Sequence, residues 1–66
     1  MKTMAELVFE ATQEADGGFC AECLRENIFT QGDTRHELRA NVIDATQAFF
    51  FDRPRPENIR LQHRQA

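Results

Sequence analysis

Thr34 and Glu37 stand three residues apart, just ahead of an apolar-periodic run, and that spacing fixes where a helix begins. It is the spacing of a capping box: the Thr34 hydroxyl oxygen accepts from the Glu37 N–H, and the Glu37 carboxylate reaches back to the Thr34 N–H. Gly32-Asp33 supplies the turn in front, and Asp33 adds negative charge near the positive end of the helix dipole. At 100° per residue, Leu38, Val42, Ala45 and Phe49 fall on one narrow stripe, with Thr46 beside it. In Arg53-Pro54-Arg55-Pro56 neither proline can continue a helix, and each biases its predecessor to extended geometry. The expectation is one amphipathic helix from Arg35 to about Phe51.

Around that helix the periodicity is two. Met4–Gln13 alternates, with Ala5, Leu7, Phe9 and Ala11 facing one way and Met4, Glu6, Val8, Glu10 and Thr12 the other. Glu14-Ala15-Asp16-Gly17-Gly18 has hairpin character, because paired glycines tolerate positive φ. Phe19–Leu24 reads as a second strand with Phe19, Ala21 and Cys23 on the core side. Arg25-Glu26-Asn27 turns the chain again, and Ile28–Gln31 reads as a short third strand with Ile28 and Thr30 inward. After the proline loop, Asn58–Arg64 alternates Ile59, Leu61 and His63 with Arg60, Gln62 and Arg64.

The order β-β-β-α-β makes the last strand parallel to the first, and a right-handed crossover sets it beside strand one. The predicted fold is a small two-layer α+β domain, a mixed four-stranded sheet of order 3-2-1-4 with one helix on one face. The other face would show Glu6, Glu10 and Thr12, then Cys20 and Glu22, then Arg60 and Arg64.

At 66 residues the chain is expected to be a single domain with a thin core. Two cysteines are too few for a disulfide scaffold, so reduced thiols in a cytoplasm are the simpler reading. No run approaches the roughly 18 apolar residues of a membrane span, and no signal peptide is expected. The net charge of −3 argues against free nucleic acid as main partner. Residues 1–37 hold eight acids against three basic groups, and residues 38–66 hold three against five. An acidic front suits a basic protein partner; a solvated surface is the plainer explanation.

Asp16-Gly17-Gly18-Phe19-Cys20-Ala21-Glu22-Cys23 resembles the Gly-Gly-aromatic-x-Ala-Glu signature of the HicB-like family, the antitoxin side of HicA/HicB toxin–antitoxin pairs. Thr30-Gln31-Gly32-Asp33-Thr34, Glu37-Leu38 and Asn41-Val42-Ile43-Asp44-Ala45 are similar to that family's helix pattern, and Ile59-Arg60-Leu61 to its closing strand. The resemblance implies a truncated RNase H-like fold and a small basic HicA-like ribonuclease as partner. Two features depart from it. Cys23-Leu24-Arg25-Glu26-Asn27 replaces the usual Pro-x-Leu-Pro-Gly turn, and no separate DNA-binding domain is expected within residues 1–66. Operator binding is therefore not carried over.

Cys20, Cys23 and His36 match the first three ligands of a Cys-x2-Cys-x12-His zinc finger. The fourth is missing where it should fall, and His63 is far down the chain. Positions three apart on a strand also point to opposite faces, which opposes both chelation and a mutual disulfide. His36 sits in the first helical turn and His63 near the end of an edge strand; neither is expected to do chemistry. Glu6, Glu10 and Glu22 share the open face, but no aspartate lies on a strand to build the metal-binding carboxylate set of a nuclease.

Phe49 belongs to the helix stripe, whereas Phe50 lies with Ile43 on a second apolar stripe away from it. Either the proline loop folds over these two or they form an oligomer interface. The sequence thus points to a protein that is not an enzyme, takes no cofactor and binds no metal. It would be a homo-oligomeric protein-binding module of the antitoxin class, with Glu6, Glu10 and Glu22 holding the partner. The alternative is a stand-alone oligomeric domain, structural or regulatory, with no toxin.

Overall fold

The computed structural model describes residues 6–52 and 54–64. The inward Ala5, the outward Met4 and the loop residue Arg53 lie outside them. Four strands and a helix follow in order: β1 (Glu6–Gln13), β2 (Phe19–Cys23), β3 (Phe29–Gly32), α1 (Arg35–Phe49) and β4 (Asn58–His63). The strands form one sheet in the order β3-β2-β1-β4, antiparallel except for the parallel β1–β4 pair. This is the α+β architecture that the strand and helix periods imply.

The β1–β2 hairpin closes through Glu14 N–H to Gly18 C=O (2.7 Å) and Gly17 N–H to Glu14 C=O (3.0 Å). Gly17 takes φ 97°, the left-handed region that a side chain resists. Ladder register then places alternate residues on one face: Leu7 with Ile59, Phe9 with Cys23 and Leu61, Ala11 with Ala21. Leu7, Phe9, Ala11 and Ala21 are completely buried. Each large apolar side chain so removed from water contributes roughly 1.5–3 kcal/mol. Ile28 is buried as expected, although β3 itself begins one residue later and Thr30 is only half-buried.

The helix departs from expectation at both ends. Thr34 is the N-cap, and its hydroxyl oxygen accepts from Glu37 N–H at 3.0 Å. The Glu37 carboxylate, however, takes the N–H of Asp33 (2.7 Å) rather than that of Thr34. The donor one residue upstream is satisfied instead. At the other end the last helical residue is Phe49, and Phe50 is the C-cap, its N–H still bonded to Thr46 C=O at 3.0 Å.

The buried stripe is Leu38, Val42, Thr46 and Phe50, with Ala45 and Phe49 only partly covered. It is turned from the expected one toward Thr46 and Phe50, and α1 approaches β3 most closely and β2 next. Thr46 can sit there because its hydroxyl donates to Val42 C=O (2.8 Å), so the buried group keeps a partner. Phe50, at 4% exposure, is a core residue packed edge-to-face on Phe49. Its assignment to an oligomer interface is corrected on that ground; of the pair, only Ile43 (39%) is exposed.

Candidate functional site

The helix covers one face of the sheet, and among the described residues no element covers the other. Register lays out that open face in rows. Phe29, Glu22, Glu10 and Gln62 form one row across all four strands. Gln31, Cys20 and Thr12 form a second. In a third, Val8 lies beside Arg60, and Leu24 donates its N–H to Val8 C=O at 3.1 Å.

The three glutamates named from the sequence do share this face, but not on equal terms. Glu6 faces Arg60 (3.8 Å) and accepts from Asn58 Nδ2 (3.2 Å), and Glu10 faces Arg64 (3.9 Å). Both ion pairs are long and solvent-exposed, so each contributes at most about 1 kcal/mol. They nonetheless balance the charge on the β4 side of the face. Glu22 stands directly opposite Glu10 and has no cation partner among the described residues. Two carboxylates facing each other across a ladder repel, so a basic group brought to this point is favoured.

Beside Glu22 lie two side chains that alternation alone did not flag as functional. Phe29 is 58% and Leu24 59% exposed. Phe29 occupies the position cross-strand from Glu22, so the β2–β3 side of the face joins exposed apolar area to an unpaired acid. A signal was present in the sequence: a phenylalanine and a leucine at outward-facing positions, where polar residues are expected.

Most of the remaining acidic front lies elsewhere, Glu26 sitting in the β2–β3 turn. Glu14, Asp16, Asp33 and Glu37 rim a cleft between the β1–β2 hairpin and the start of α1. Two of these carboxylates serve the backbone, Asp16 accepting from Gly18 N–H (3.1 Å) and Glu37 from Asp33 N–H. Acidity concentrated along the chain is therefore divided in space, chiefly between the open face and this cleft.

Cys20 and Cys23 point to opposite faces. Cys20 is half-buried on the open one, and Cys23 is buried in the core, where its sulfur accepts from Glu26 N–H at 3.3 Å. Both are free thiols, and among the described residues no three His, Cys, Asp or Glu side chains converge as metal ligands. His36 is exposed in the first turn of α1. His63 meets Phe19 edge-on, with ring centres 6.4 Å apart, while the Arg35 guanidinium lies 5.8 Å from the same ring. The contacts these groups make are packing contacts.

Fold and face together define a small α+β domain with one sheet surface bare, polar at one side and apolar-acidic at the other. No helix among the described residues is long and apolar enough to cross a membrane. Over 50 residues the chain is 44% identical to the UPF0150 protein of Thermotoga maritima, an alignment covering 76% of this chain and 71% of that one. The chain belongs to the UPF0150 family. No family model and no solved structure matches it.

Proposed function

We propose that this domain is a non-enzymatic protein-binding module of the HicB-like antitoxin class, acting in the cytoplasm, and that its bare sheet face holds a small basic ribonuclease toxin. The observation that carries the reading is Glu22, a carboxylate with no cation partner among the described residues, set between Glu10 and the exposed Phe29. An interface of that kind anchors through apolar area and selects its partner by charge. A toxin that must attract RNA phosphates carries the complementary basic surface. Resemblance of the Gly17–Cys23 segment and the α1 sequence to HicB-like proteins supports the same assignment.

The test pairs this protein with a small basic HicA-like ribonuclease from a neighbouring reading frame, the partner the proposal requires. Co-expression should relieve the toxin's growth arrest, and the purified pair should associate at a rate that falls steeply with salt. Changing Glu22 to Gln should slow association several-fold at low salt, whereas Glu6→Gln should do little, because Arg60 already answers Glu6. If both variants associate as fast as wild type, the open face is a solvated surface and the reading fails. The alternative of a stand-alone oligomer without a toxin draws on a different feature, the unpaired edge of β4.

A further inference from the structure

We infer that two copies of this chain pair through β4, antiparallel about a two-fold axis at Leu61, to form one continuous eight-stranded sheet. The inference does not depend on any toxin partner. It starts from the edge. Arg64 donates its N–H to Ala11 C=O at 2.7 Å, and the parallel β1–β4 register makes alternate residues of β4 do the same toward β1. Asn58, Arg60, Gln62 and Arg64 therefore aim their backbone groups inward at β1. Ile59, Leu61 and His63 aim theirs outward, where no strand among the described residues meets them. An edge with three donors and three acceptors in a row is a template for another strand.

The side chains say which strand fits. Residues opposite each other in an antiparallel pair share a face, and a two-fold axis requires one residue to oppose its own copy. Centring on Arg60 sets Arg60 against Arg60, and centring on Gln62 sets Arg60 against Arg64; both place like charges opposite. Centring on Leu61 instead opposes Arg60 to Gln62, Asn58 to Arg64 and Ile59 to His63. That register also uses all three outward residues of each copy, giving six backbone hydrogen bonds.

The helix face of the same edge is unfinished in one copy. α1 lies closest to β3, and a groove of about 270 Å³ remains between it and β4, lined by Val42, Ile43, Ile59 and Leu61 among others. Ile59 and Leu61 are only half-buried, and Ile43 is exposed. Pairing at Leu61 brings two such grooves together on one side of the joined sheet, where each closes the other. Ile43 thus keeps the interface role expected from the sequence, while β4 takes the place of Phe50.

Sedimentation equilibrium on the full chain decides the point. Wild type is expected to be a dimer at micromolar concentration. Gln62→Arg places an arginine opposite the partner copy's Arg60 twice, yet beside Glu10 within its own chain, so the monomer keeps its fold. Its dissociation constant should rise roughly three- to thirtyfold, less so at high salt. His63→Pro removes two of the six hydrogen bonds without touching the β1 ladder and should weaken the dimer by more than tenfold. Leu61→Cys should oxidise readily to a covalent dimer, because directly opposed Cα atoms lie about 5.5 Å apart, and Ile59→Cys should not. A wild type that stays monomeric at roughly 0.5 mM overturns the inference. So does a Gln62→Arg chain with unchanged dimerisation, or Ile59→Cys crosslinking as well as Leu61→Cys.

Discussion

Gly32→Ala should be the most damaging of the three glycine-to-alanine changes this protein allows. A Cβ built on Gly32 falls 2.6 Å from the backbone N of Leu38, 2.8 Å from its Cα and 3.1 Å from the carbonyl carbon of Glu37. Ordinary contact begins near 3.4 Å, so the end of β3 and the first turn of α1 must separate by about 0.8 Å. Neither side yields easily. Asn41 Nδ2 donates to Gln31 C=O at 2.7 Å, and Thr34 with Glu37 fixes the helix start two residues away. Overpacking against rigid backbone costs about 1–3 kcal/mol. A domain of this length is worth only roughly 3–10 kcal/mol in total. Tm should therefore fall by roughly 4–24 °C, measured by circular dichroism at fixed protein concentration, since association also moves Tm. Two controls separate crowding from glycine's backbone freedom. Gly18→Ala meets nothing closer than 3.5 Å and needs no positive φ, so it should stay within about 0.5 kcal/mol of wild type. Gly17→Ala has open space but φ 97°, so it should lose about 1–2 kcal/mol from strain alone. A Gly32→Ala protein melting within a degree of wild type would refute the close approach of strand and helix.

Phe50→Ala should cost about 3–5 kcal/mol in urea unfolding and leave the chain partly unfolded, because it empties a core site at the end of the buried helix stripe. Phe51→Ala, one residue on and 82% exposed, should change stability by less than about 0.5 kcal/mol; equal effects would mean that the helix end is placed wrongly. In the native state a thiol reagent should modify Cys20 promptly and Cys23 only at the rate of unfolding, so two equally fast thiols would contradict the opposite facing of the pair.

Much of this fold was legible in the sequence because its devices are local. The Thr34–Glu37 spacing, the period-two runs, the glycine hairpin and the proline loop each act within a few residues, and the elements they set fall within two residues of where the spacing put them. Facing within a strand is equally local, so Cys20 and Cys23 separate as expected, and Glu6, Glu10 and Glu22 share one side. Tertiary structure decided how the elements meet. Periodicity gives the angles between helical residues but not the line along which the helix lies on the sheet. In the folded chain α1 lies closest to β3, its buried stripe runs through Thr46 and Phe50, and a groove stays open between it and β4. Register likewise set Glu22 between Glu10 and Phe29, with no cation partner among the described residues. Gly32 carries the same lesson at the scale of one atom. The sequence shows a turn residue, and only the packed helix start explains why no larger side chain fits there.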